Sequence, residues 1–172
     1  MSAPRDSSDA PDRTNALRGP AEAIDRFVAT IDALPHNVFL APMNGWAPRD
    51  VVAHLIGWNR LTVDGAREIL HGRAPAYLDD VDNGFRRVNA DAVRAHSSTD
   101  RDTLLDELTE SAREAAAFVR ALKPSSWTTS IRFREWTISV ADCVDALRQD
   151  YDTHRERIAA WASAQFRSKE TQ

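Results

Sequence analysis

The residues between Ser97 and Pro124 constrain the architecture more tightly than any other part of the chain. Leu104, Leu105, Leu108, Ala112, Ala115, Val119 and Leu122 recur at the three- and four-residue steps of a helix that buries one face. A strand, whose side chains alternate, could not hide that set on one side. Ser97, Ser98, Thr99 and Asp100 offer N-caps at one end, and Pro124 stops the helix at the other. A helix with one apolar stripe draws its stability from packing that stripe, so the rest of the chain must supply partners.

Three further segments do so. Pro20 suits a first helical turn, and Ile24, Phe27, Val28, Ile31 and Leu34 follow on one face until Pro35 ends the run. A loop over residues 36–47 carries Pro42 and Gly45. Pro48 then opens a second helix with Asp50 favourably placed against the helix dipole. Its stripe is Val51, Leu55, Trp58 and Leu61 or Thr62, and Gly72 and Pro75 close it. After a connector at 73–81, a shorter helix is expected over 84–96, with Phe85, Val88, Ala92 and Ala95 on one side. Residues 124–137 break the period: Ile131, Phe133 and Glu135 alternate with Arg132, Arg134 and Trp136, as in a short extended turn. Ser139 can cap the last helix, whose stripe is Val140, Cys143, Val144, Leu147, Tyr151, Ile158 and Trp161. The expectation is an all-α bundle of four long helices and one short one over residues 19–165. Loose tails are expected at 1–18 and 166–172. A length of 172 residues, with no internal repeat or linker, suits one domain.

Composition excludes some functions. The formal charge of −4 gives no global attraction to nucleic acid or anionic membrane, and no basic run is found interleaved with aromatics, so nucleic acid is not expected as a partner. No apolar run approaches the ~20 residues needed to cross a bilayer. Residues 1–18 contain no apolar stretch and do not read as a signal peptide. The single Cys143 cannot form an internal disulfide, which agrees with a cytoplasmic protein. There is no phosphate-binding loop, dinucleotide glycine fingerprint or Gly-x-Ser-x-Gly elbow.

Polar residues on apolar stripes carry more information. His54 lies three residues after Val51 and four before Trp58, on the inward side of its helix. In the last helix, positions 143, 147, 150, 154 and 158 form one continuous face that reads Cys, Leu, Asp, His, Ile. Asp150 and His154 are four residues apart, point the same way and can bind one object. An inward carboxylate without a partner costs several kcal/mol. Asp150 therefore needs either the imidazole of His154 or a cation shared with His54. The plainer alternative is an Asp–His hydrogen bond on the rim of the bundle, with His54 a satisfied core histidine. Asn59 and Tyr151 are weaker candidates for the rim of a pocket. Cys143 reads as a small buried hydrophobe rather than a nucleophile. His36, His71 and His96 sit near helix ends or in loops and receive no role. Arg86, Arg87 and Arg94 read as a solvated face.

Two segments resemble a known family. PRDVVAHLIGWNR (48–60) is similar to the second-helix motif of the DinB-like (YfiT-like) four-helix-bundle superfamily, in which a His follows a short apolar run and an aromatic follows the His. WTISVADCVDALRQDYDTHRERI (136–158) resembles that superfamily's last helix, where two His four residues apart precede a basic stretch and an Ile. The branch it most resembles is the ClbS/DfsB-like one, and the likeness covers roughly residues 20–162. The resemblance implies a divalent-metal site at His54, Asp150 and His154, with Asp150 standing where the family has the first His of its last helix. Two His and one carboxylate suit Zn, Ni, Fe or Mn. It implies a thiol-dependent transferase or isomerase acting on a small molecule, with a low-molecular-weight thiol as cofactor. Two alternatives remain open: a metal-free, ClbS-like protective hydrolase or sequestering protein, and a non-catalytic homodimer using Trp46, Trp127 and Trp136.

Overall fold

The helical stripes become α1 (Arg13–Asp32), a single-turn α2 (His36–Phe39), α3 (Pro48–Leu70), α4 (Arg86–Ala95), α5 (Arg101–Ala121) and α6 (Val140–Glu170). A 3₁₀ segment, Ala76–Asn83, precedes α4, and a hairpin of β1 (Ser130–Phe133) and β2 (Trp136–Ser139) precedes α6. The computed structural model describes residues 13–170, with side chains over 21–165. α3 packs on α5 and α6, and α1 packs on the same two helices, so α1 and α3 sit diagonally across a four-helix bundle. Phe27 and Ile31, Val51, Val52, Leu55 and Ile56, Leu104 and Leu108, and Tyr151 and Ile158 meet in the core with almost no exposure. Full burial of each large apolar side chain is worth roughly 1.5–3 kcal/mol. No helix of the described residues is long and apolar enough to cross a membrane.

Several expectations need correction. Helix α1 begins at Arg13, so Pro20 lies inside it rather than in its first turn. The expected tail therefore lies partly in helix at 13–18, and residues 1–12 fall outside the described residues. The expected C-terminal tail is likewise helical to Glu170, leaving 171–172 outside the described residues. The loop after α1 contains α2, whose Val38 and Phe39 plug the end of the bundle. Arg101 secures that plug: its guanidinium lies 4.9 Å from the Phe39 ring centroid and donates to the carbonyls of Leu34 and Ile31 at 2.8 and 2.9 Å.

The extended turn is a true antiparallel hairpin. Ile131 pairs with Ile138, and both pack on a second apolar cluster of Ala66, Ile69, Leu122, Val140 and Cys143. Its two-residue turn places Arg134 at φ 56, in the left-handed region that non-glycine residues rarely adopt. Trp46 and Trp127 are half-buried against the core clusters, whereas Trp136 is exposed. His96 is buried rather than solvated; its ring nitrogens meet the Ala92 carbonyl and the Glu107 carboxylate.

Candidate metal centre

Local capping sets the register of the two helices that bear the site. Asp50 accepts the Ala47 N–H at 2.8 Å at the start of α3. Ser139 and Asp142 cap α6 reciprocally: the Ser139 N–H donates to the Asp142 carboxylate at 2.8 Å, and the Asp142 N–H donates to the Ser139 hydroxyl at 3.1 Å. With α3 packed on α6, the expected three residues converge. His54 Nε2 lies 2.9 Å from Asp150 Oδ2, and His154 Nε2 lies 3.2 Å from Asp150 Oδ1. The two imidazole rings stand 5.0 Å apart between centroids, and one potential ligand atom from each residue lies within 4.8 Å of the others. Trp46 and Trp58 flank His54 edge-on at 5.2 and 6.2 Å, shielding it from water.

Burial pushes the Asp150 carboxyl upward. The hydrogen bonds from His154 and His54, together with their charges, outweigh that and hold it well below the usual carboxylate range. An ionised carboxylate only accepts, so each imidazole meets it through an Nε2–H. His54 Nδ1 is buried and has no hydrogen-bond partner.

These donors fit a divalent transition metal in kind: two imidazole nitrogens and a carboxylate, close enough to share one ion. An ion held at Nε2 would move the His54 proton to Nδ1, which lacks the second acceptor that metal-binding histidines usually have. That is a cost of the site, borne within a donor set that otherwise matches.

A cleft of about 450 Å³ opens beside His54 and Asp150. Trp58, Tyr77, Phe85, Asn89 and Cys143 are among the other residues that line it. Burial pushes the Cys143 thiol up, against a smaller opposite effect from the Tyr77 hydroxyl 3.4 Å from its sulfur. Asn59 and Tyr151 do not reach the rim. Both are buried in the interior, where Asn59 Nδ2 donates to the hydroxyls of Tyr151 and Ser111, each at 2.9 Å. Mutual hydrogen bonding lets these polar tips sit inside the bundle. Sequence reasoning missed Tyr77 and Asn89 and placed Phe85 only on a helical stripe. Their one sequence signal was the pair of glycines on α3, Gly57 and Gly65, against which Ala92 and Tyr77 pack closely.

The sequence pattern of the DinB superfamily matches residues 20–158, most of the chain. The chain belongs to the DinB superfamily. No curated protein matches it in sequence. Solved structures share the superfamily fold at low identity. The colibactin self-resistance protein ClbS, in complex with double-stranded DNA, superposes with a TM-score of 0.71 at 12% identity over 89% of this chain and 96% of its own. DfsB, described as a sibling lethal factor precursor, gives 0.71 at 14% over 91% and 98%. A mycothiol-dependent maleylpyruvate isomerase gives 0.71 at 10% over 86% of this chain, which spans only 60% of the isomerase.

The ClbS complex overturns the exclusion of nucleic acid, because a DinB-superfamily fold is seen there on duplex DNA. The exclusion rested on net charge, which does not govern a local surface. It also overlooked residues 131–136, where Arg132 and Arg134 interleave with Phe133 and Trp136 on an exposed hairpin.

Proposed function

We propose that His54, Asp150 and His154 hold a divalent ion such as Zn, Ni, Fe or Mn, and that the adjoining cleft serves thiol-dependent transfer or isomerisation of a small molecule. The observation that carries this reading is the convergence of two imidazoles and a carboxylate from two helices, with His54 and Asp150 on the wall of a cleft of about 450 Å³. A divalent ion in such a site lowers the pKa of a bound thiol or water and so supplies a nucleophile near neutral pH. Before an ion enters, Asp150 orients both imidazoles by accepting from each, and Trp46 and Trp58 keep bulk water from His54. The chain's only cysteine is buried with its thiol pushed up, which favours an external thiol. A mycothiol-dependent isomerase among the fold neighbours supports the same choice.

The test is elemental analysis of untagged protein beside a His54→Ala, His154→Ala double variant. Near-stoichiometric metal in the wild type, lost in the variant, is the expected result. Absence of metal in both, with no uptake of added Zn or Ni, would sink the reading.

One observation favours a second reading without metal: both Asp150 oxygens are already met by imidazole nitrogens. The triad could then serve as an oriented base in a protective protein acting on a reactive electrophile, or one that sequesters it. The ClbS complex and the Arg132/Arg134 hairpin extend this reading to duplex DNA as a ligand. Salt-sensitive DNA binding, weakened by Arg132→Ala with Arg134→Ala, is its measurable consequence.

A further inference from the structure

The cleft has a wall that neither reading of the triad uses. Trp58 of α3, Tyr77 of the 3₁₀ segment and Phe85 at the threshold of α4 meet edge to face, with ring centroids 5.3, 5.4 and 6.2 Å apart. At those separations the rings fill the space between themselves. They do not enclose a cation; they present a continuous apolar surface to the cleft.

The surrounding backbone accommodates this wall. A Cβ on Gly65 would stand 2.7 Å from Tyr77 Cε1, so only glycine lets that ring lie against α3. Phe85 holds φ 57, a conformation costly for a bulky residue. It is fixed there by its N–H donating to the Asp80 carbonyl at 3.0 Å, while the Asp80 carboxylate accepts the Val88 N–H at 3.0 Å.

One polar group in this wall has a determined orientation. The Trp58 indole N–H can only donate, so the Asn89 atom 2.9 Å away must be Oδ1. Asn89 Nδ2 is thereby turned away from Trp58, and among the described residues no acceptor meets it. The lining contains no Lys or Arg, and Asp150 is its one carboxylate. A ligand carboxylate would lie beside Asp150 with no cation but His54, whose Nε2 already meets Asp150, and an ammonium group would offer nothing to Nδ2.

We infer that the cleft binds a neutral aryl carbonyl compound, an aromatic amide or ketone, with its ring against Trp58, Tyr77 and Phe85 and its carbonyl oxygen accepting from Asn89 Nδ2. This rests on the reading of the cleft as the substrate site and applies to the metal-free protein.

The probes are 2-naphthamide, 2-naphthoate and 2-methylnaphthalene, titrated calorimetrically into the full chain after EDTA treatment and again after zinc loading. In the EDTA-treated protein, 2-naphthamide should bind about tenfold more tightly than either of the others, the usual worth of one well-made hydrogen bond. Asn89→Asp still accepts the Trp58 N–H but loses the donor, so its affinity for 2-naphthamide should fall toward that for 2-methylnaphthalene. Asn89→Leu, of similar size, provides a second variant with the same expectation. Phe85→Gly suits the left-handed backbone and should weaken all the aryl probes. Equal affinity for the three probes, no binding of any, or a preference retained in both Asn89 variants would overturn the inference. Zinc uptake without naphthamide binding removes this inference and leaves the metal reading standing. Naphthamide binding without zinc uptake does the reverse.

Discussion

Asp150 is gripped from both sides by imidazoles on different helices, and that grip makes the carboxylate's contribution sensitive to acid. Burial raises the tendency of the carboxyl to take a proton, but hydrogen bonds and charge from His154 and His54 more than reverse it. The folded protein therefore holds this proton less tightly than the unfolded chain. Its stabilisation is complete above the unfolded value of about 4 and is lost as the pH falls through the depressed folded value. The unfolding free-energy difference between wild type and Asp150→Asn, measured in urea, should shrink below about pH 4; a difference that grows on acidification would contradict the assignment. Positions 54, 150 and 154 were legible because helical periodicity assigns each to an inward face, and the family motif joins the two faces. Tyr77 and Asn89 were not. Tyr77 lies in a segment with no period of its own, and Asn89 is a polar residue on a short helix that reads as solvated until its neighbours are placed. Asn59 and Tyr151 were misplaced for a related reason: a polar side chain reads as peripheral unless its partners, here on other helices, are known.

Among the elements, the long helices announce themselves through stripe and cap, and the expected starts at Pro48, Asp100 and Ser139 are where chain ends are in fact capped. The hairpin was harder to read, since a four-residue strand offers only two residues per face and its Ile131–Ile138 pair is a long-range fact. Helix α4 shows how one element seats another. A Cβ on Gly57 would stand 2.7 Å from the Ala92 Cβ, so the two helices touch through a missing methyl group. Alanine ordinarily stabilises a helix interior over glycine by about 1 kcal/mol. Here the overlap should reverse that, because forcing added volume into a packed contact costs roughly 1–3 kcal/mol. Gly57→Ala is expected to destabilise the protein by about 1 kcal/mol, with a favourable coupling of similar size when Ala92→Gly is added. Thermal unfolding of the two single variants and the double variant checks this, and additive effects would show that the contact is not tight.

At the scale of the whole molecule, the bundle is tied by a small polar core as well as by its apolar one. Asn59 of α3 joins Ser111 of α5 and Tyr151 of α6, and the Tyr151 ring packs edge-on to Phe27 of α1 at 5.5 Å. Asn59→Ala leaves the buried Tyr151 hydroxyl without a partner, while Ser111 keeps its bond to the Leu108 carbonyl, and should cost about 1–3 kcal/mol in urea unfolding; a loss below about 0.5 kcal/mol would mean the network merely fills space. Net charge, by contrast, proved a poor guide at this scale, because it averaged away the arginine–aromatic hairpin. The cleft also joins parts of very different depth. His54 is anchored in the core, yet the opposite wall depends on α4, none of whose residues is fully buried. Replacements on such a surface usually change stability by no more than about 0.5 kcal/mol. The Asn89 side of the cleft is thus less tightly bound up with folding than His54 is. A lineage carrying this chain could alter that side by single mutational steps while the triad and the bundle stay as they are.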